Sequence, residues 1–164
     1  MNLNANKNLV LISGACIFKE LRGKTKWFLI KQCEENGWEI PKIIVRKGES
    51  SVRAVLRMMG EKANMATRVL EEVGRFGGIT TLNGKKLPQR QIFYLMMQKF
   101  QSGEVIGFPE SNWFDLNKTI KNLSSKREKD VIKSANSILK KLKKKGLKIK
   151  KLYEEDESEE EIEL

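Results

Sequence analysis

Residues 47–65 read KGESSVRAVLRMMGEKANM, and this stretch decides the fold. Val52, Val55, Leu56, Met59 and Ala63 recur at intervals of three and four, which predicts a helix from Ser50 to Ala63 with one apolar stripe. Ser50 or Ser51 can cap its first turn. Asn64 can end it in the left-handed conformation that glycine usually supplies. Ahead of the helix lie Gly48 and Glu49, and within it stand Arg57, Met58, Glu61 and Lys62.

Working outward, residues 9–18 and 26–32 are apolar and β-prone on either side of a turn-like ELRGKT, and they read as a hairpin. Trp38 to Pro41 is extended, because a residue before proline avoids the helical region. Residues 66–74 fit helix or strand equally on composition. Asn83-Gly84 is a strong hairpin-turn signal, followed by a β-rich run at Ile92–Met97. Residues 125–145 form a long helix with apolar positions at Val131, Ile132, Ala135, Ile138, Leu139 and Leu142. Strands, a helix, more strands and a terminal helix make an α/β sandwich with a mixed sheet. The domain spans 1–145, and 146–164 is a basic then acidic tail expected to be disordered.

The 164 residues suit one domain with a real core. A formal charge of +11 hides a strong asymmetry, since eight of the 21 acids fall between Glu154 and Glu163. Residues 1–153 therefore carry 32 − 13 = +19, a surface that attracts polyanions. There is no histidine, which excludes a Ser/His or Cys/His nucleophile, and the two cysteines lack metal-ligand spacing. Reduced cysteines and the absence of a good leader cleavage site give the expectation of a cytoplasmic protein with no membrane association.

These residues resemble the Nudix hydrolase family. Ser13-Gly14-Ala15-Cys16-Ile17-Phe18 is similar to its first core strand, and Trp38-Glu39-Ile40-Pro41-Lys42 to its W-x-x-P-K-G approach. Gly48-Glu49-Ser50, Ala54 and Arg57 fall where the family has G-E-S, A and R, while Gly107-Phe108 to Trp113-Phe114 resembles its late segment. The resemblance implies a Nudix-type α/β/α sandwich with a mixed β-sheet. The family signature is G-x5-E-x7-R-E-U-x-E-E-x-G-U, with U a bulky aliphatic. Here Ile43 replaces the first glycine, Met58 the glutamate after the arginine, and Glu61-Lys62 the E-E pair. Glu71-Glu72-Val73-Gly74 spells an intact ending, but it lies 22 residues after Glu49 where the signature needs twelve, so these are surface acids.

In the family, the resemblance implies, these helix carboxylates hold magnesium during hydrolysis of a nucleoside diphosphate linked to another group. Positions 58, 61 and 62 share one helix face. Replacing two carboxylates there by methionine and lysine leaves magnesium binding weak or absent, because a like charge about 4 Å away costs roughly 4 kcal/mol per charge product at an effective dielectric near 20. Lys62 instead offers a fixed cation to a phosphate. Glu61 and Glu49 are the catalytic candidates. Lys62, Lys42 and Arg57 are the phosphate candidates, and Glu61, Glu49 and, weakly, Glu110 the metal candidates. Glu49 and Arg57 also fit a structural carboxylate–guanidinium fork. Trp38 and Trp113 are candidates for stacking on a base, or for ordinary burial. The reading is a nucleotide-binding Nudix protein with weak or lost hydrolysis. The alternative is a non-enzymatic module that binds RNA through its basic C-terminal helix or binds protein. Sequence fixes neither substrate nor oligomeric state.

Overall fold

The computed structural model describes residues 8–146. The tail expected to be disordered lies outside the described residues, apart from Gly146. Elements follow in the order β1 (Val10–Leu21), β2 (Lys24–Lys31), β3 (Lys42–Ile44), α1 (Ser51–Ala63), β4 (Met65–Leu82), β5 (Lys85–Gln101), β6 (Glu110–Phe114), α2 (Leu116–Asn122) and α3 (Lys126–Lys144). One mixed sheet runs β4-β5-β1-β2-β6, with β3 pairing the early part of β1. β1 and β5 are its parallel pair, from Val10 opposite Gln89 to Phe18 opposite Met97.

β1 is buried on both faces, so it reads as a continuous apolar run rather than an alternation. Ala15 and Ile17 pack with Phe28, Ile30 and the α1 residues Val55, Met58, Met59 and Ala63. Their neighbours Cys16 and Phe18 pack with Trp27, Leu29 and the α3 residues Val131, Ile132, Ala135 and Leu139. Alternate residues of the strands thus serve two cores, one under α1 and one under α2 and α3, giving the α/β/α sandwich.

The expected hairpin turn contracts to Arg22-Gly23, because β1 and β2 run on through most of ELRGKT. Residues 66–74 are strand: Glu71 and Glu72 are exposed acids on β4. Asn83-Gly84 makes the β4–β5 turn with positive φ at both residues (52° and 77°), as a two-residue hairpin requires. Two corrections follow. Leu56 is 38% exposed instead of joining the stripe, and Met58 takes the buried place, since the face against the sheet is centred on Val55, Met58 and Met59. The region between the late strands and the terminal helix adds β6 and α2, which have no sequence period because each is short. Among the described residues no helix is long and apolar enough to cross a membrane.

Candidate functional site: a cationic cleft beside α1

The chain is strapped into the site by successive backbone contacts. Glu39 and Ile30 exchange both hydrogen bonds, Ala15 N–H donates to the Pro41 carbonyl, and Val45 N–H donates to Leu11. The Ile40 N–H donates to Glu128 Oε1 at 2.6 Å, and Lys42 Nζ donates to Glu128 Oε2 and to the Ile40 carbonyl, both at 2.9 Å. Glu128 comes from α3 on the far side of the sheet. No local pattern in the sequence singles it out.

Beyond Lys42 the loop turns at Gly48 and enters α1, where the Ser50 side chain accepts from Arg53 N–H. Arg57 donates through Nε to Glu49 Oε2 (2.7 Å) and through Nη2 to Oε1 (2.9 Å), and Oε1 also accepts the Arg46 N–H. This is the bidentate fork expected from the spacing. The fork, with help from the Arg46 N–H, pushes the Glu49 carboxyl down to about 2 and raises Arg57. Both Glu49 oxygens are therefore engaged as acceptors within the loop and helix.

At the other end of α1, Asn64 adopts the left-handed cap (φ 50°, ψ 44°), as its place in the signature suggests. Its carbonyl accepts from Ser102, its Nδ2 donates to the Glu104 carbonyl, and Gly107 N–H donates to the Lys62 carbonyl at 2.8 Å. These bonds satisfy the terminal carbonyls of α1 and fix the loop 102–109 against it. Gly107 has to be glycine here, because a Cβ would lie 2.5 Å from Lys62 Cα. Lys62 sends its ammonium over the Phe108 ring, 5.6 Å from the centroid.

The result is a cleft of about 460 Å³ lined by Lys42, Ile43, Ile44, Arg46, Arg57, Glu61 and Lys62. Four cations face one carboxylate. Glu61 is 58% exposed at the rim, with Oε2 3.8 Å from Arg57 Nη1. Met58, the middle of the altered signature, is wholly buried in the core under α1 and does not reach the cleft. Lys42 lines the wall, but its ammonium is occupied by Glu128 and the Ile40 carbonyl. Glu110 opens β6 and pairs with Lys31 at 3.8 Å. Among the described residues no three His, Cys, Asp or Glu side chains converge as a metal would need: Glu49 and Glu61 share Arg57, while Glu110 pairs with Lys31.

The two stacking candidates also separate. Trp113 packs on the α1 face against Phe28 (5.1 Å), with Lys19 Nζ 4.3 Å from its centroid, whereas Trp38 packs on the α3 face against Phe114 (5.0 Å). They cannot sandwich one base, because neighbouring strand positions 113 and 114 point to opposite faces. A second cavity of about 540 Å³ opens beside Trp113, with Lys19, Gln98, Ser111 and Asn112 among its walls. Burial lowers the Lys19 pKa. Sequence reasoning missed this cavity and Arg46; the adjacency of Asn112 to Trp113 and of Arg46 to the Gly48-Glu49 loop was the available signal.

No protein-family model matches the chain, and no curated protein matches it by sequence. Solved structures do. An Ap4A hydrolase from C. elegans, in a binary complex, superposes with a TM-score of 0.65 at 20% identity, covering 79% of this chain and 97% of that one. The NUDIX domain of Shewanella oneidensis NrtR, complexed with ADP ribose, gives 0.65 at 17% identity, covering 85% and 94%. A NUDIX hydrolase from Nitrosomonas europaea gives 0.60 at 14% identity, covering 78% and 88%. Strand order, the two helical layers and these superpositions agree: the chain has the Nudix fold.

Proposed function

We propose that the cleft binds the phosphates of a nucleoside diphosphate derivative through fixed cations, with little or no hydrolysis. The carrying observation is the fate of helix positions 58, 61 and 62: Met58 is core, Glu61 is a rim acid and Lys62 is a cation lining the cleft. A divalent ion with octahedral oxygen demands does not suit this donor set, since one carboxylate is left and a cation stands beside it. Lys62, Arg46 and Arg57 can instead neutralise phosphate oxygens directly, as Lys and Arg do elsewhere. The one carboxylate lining the cleft, Glu61, stands at the rim beside Arg57, and this supports binding over turnover. The second cavity suits the nucleoside, with Trp113 to stack and Gln98, Ser111 and Asn112 to meet a base edge. The ADP ribose in the complex with the NrtR domain supports the same ligand class.

Titration calorimetry with ADP-ribose, with magnesium and with a chelator, tests the proposal. Binding that survives the chelator and weakens about tenfold in Lys62→Ala, a loss of about 1.4 kcal/mol, is the expected outcome. Robust magnesium-dependent hydrolysis by the unmodified chain overturns it. A second reading, RNA on the outer face of α3, is favoured by the exposed Lys126, Lys133, Lys140, Lys141 and Lys144. Salt-dependent binding of a single-stranded RNA, lost in K140E/K141E/K144E, is its signature.

A further inference from the structure

The β4–β5 hairpin outgrows the sheet. β1 pairs β5 only from Val10 opposite Gln89, so among the described residues Lys85–Pro88 and their partners Ile79–Leu82 form a two-stranded arm. It extends about 13 Å past the sheet, at roughly 3.3 Å per residue. From Val73 to Gly103 there is no acid, and the arm and its root carry Arg75, Lys85, Lys86 and Arg90. Arg75 is held by Glu72, but Lys85, Lys86 and Arg90 are exposed and form no ion pair with a described residue. Cross-strand register puts Lys86 and Arg90 on the face continuous with the α1 layer and Lys85 on the other, so cations flank the ribbon on both sides. Exposed Ile79 (73%) and Leu82 (38%) supply apolar contact near the tip.

We propose that this arm docks duplex DNA, entering the major groove as a two-stranded ribbon with Lys85, Lys86 and Arg90 on flanking phosphates. The charge selects a polyanion. The arm has no exposed aromatic ring to stack on, since Phe76 at its root is packed on Phe93 and covered by Arg127, and this disfavours single strands. A B-form major groove about 12 Å wide admits a two-stranded ribbon, whereas the A-form groove of duplex RNA is too narrow. Pairing with a second copy along β4, the edge strand among the described residues, would instead set two arms of the same sign against each other.

The test uses the full chain and a fluorescent DNA duplex of about 20 base pairs, followed by anisotropy as salt rises. The expected result is salt-sensitive binding that falls about tenfold or more in K85Q/K86Q/R90Q, with the slope of log affinity against log salt reduced by about 2.7 for three lost phosphate contacts. Melting temperature and nucleotide binding should stay as in the parent chain, because all three side chains are exposed. K140E/K141E/K144E on α3 should retain most duplex binding. The proposal is overturned by absence of duplex binding at low salt, by unchanged binding in the arm variant, by preference for duplex RNA of the same sequence, or by arm substitutions that act only by dissociating a dimer.

Discussion

Glu49 and Arg57 stand eight residues apart and meet at the mouth of the cleft; Glu128 and Lys42 stand 86 apart and meet beneath its wall. The first pair is closed by one loop and two helical turns, so local geometry alone brings it together. The second ties α3 to the strap that carries Lys42, and it forms only when both layers are on the sheet. Glu128 is the more demanding partner, being 8% exposed and accepting from a backbone N–H as well as an ammonium. The local pair shapes the site, whereas the distant one couples the site to the rest of the fold.

Removing Glu128 should hurt most. Glu128→Ala leaves the Ile40 N–H and the Lys42 ammonium without their acceptor, and an unfolding titration in urea should show a loss of about 3 kcal/mol. Glu128→Gln keeps an acceptor for the N–H and should lose about half of that. A loss no larger than that of an ordinary surface substitution would erase the distinction between the pairs. Gly107→Ala tests another distant contact, and overlap with Lys62 should cost about 2 kcal/mol and weaken nucleotide binding, measured by the same unfolding and by calorimetry. Asn64→Ala probes a cap that is local in origin and should cost about 1 kcal/mol, with Asn64→Gly closer to neutral in melting temperature.

The smallest effect belongs to the local fork and shows as a pH dependence. The Glu49 pKa is lowered from 4.5 to about 2, so its contribution is complete above about pH 4.5 and is lost as pH falls through about 2. The difference in melting temperature between the parent chain and Glu49→Gln should therefore be constant near neutrality and shrink across that acid window. A difference that grows on acidification would reverse the assignment.

What was legible in the sequence divides along the same line. The fork, the Asn64 cap, the Asn83-Gly84 turn and the apolar stripe of α3 all follow from spacings of a few residues, and all are present. Leu56 was assigned to the core because helical periodicity gives a stripe but not its centre; the sheet selects Met58 instead. Trp38 and Trp113 are each legible as an aromatic that stacks or is buried, but the layer each joins is not: strand alternation at 113 and 114 sends them to opposite faces. Glu128 was invisible: an acid in the first turn of a lysine-rich helix reads as a favourable helix-end charge, and only the crossing of α3 over Ile40 gives it another use. The α2 helix, seven residues long, carries too few turns to show a period.

The chain's two thiols contrast in a way that bears on how its motions can be watched. Cys16 is sealed in the α3-side core, where burial raises its pKa, while Cys33 is exposed just after β2. A maleimide dye should therefore attach at one place without any engineering, on the turn that leads into Trp38. Trp38 is close in sequence and packs against Phe114, so quenching of that dye by the indole offers an optical ruler for the strap. If the strap shifts when phosphate enters the cleft, the native protein already carries the reporter.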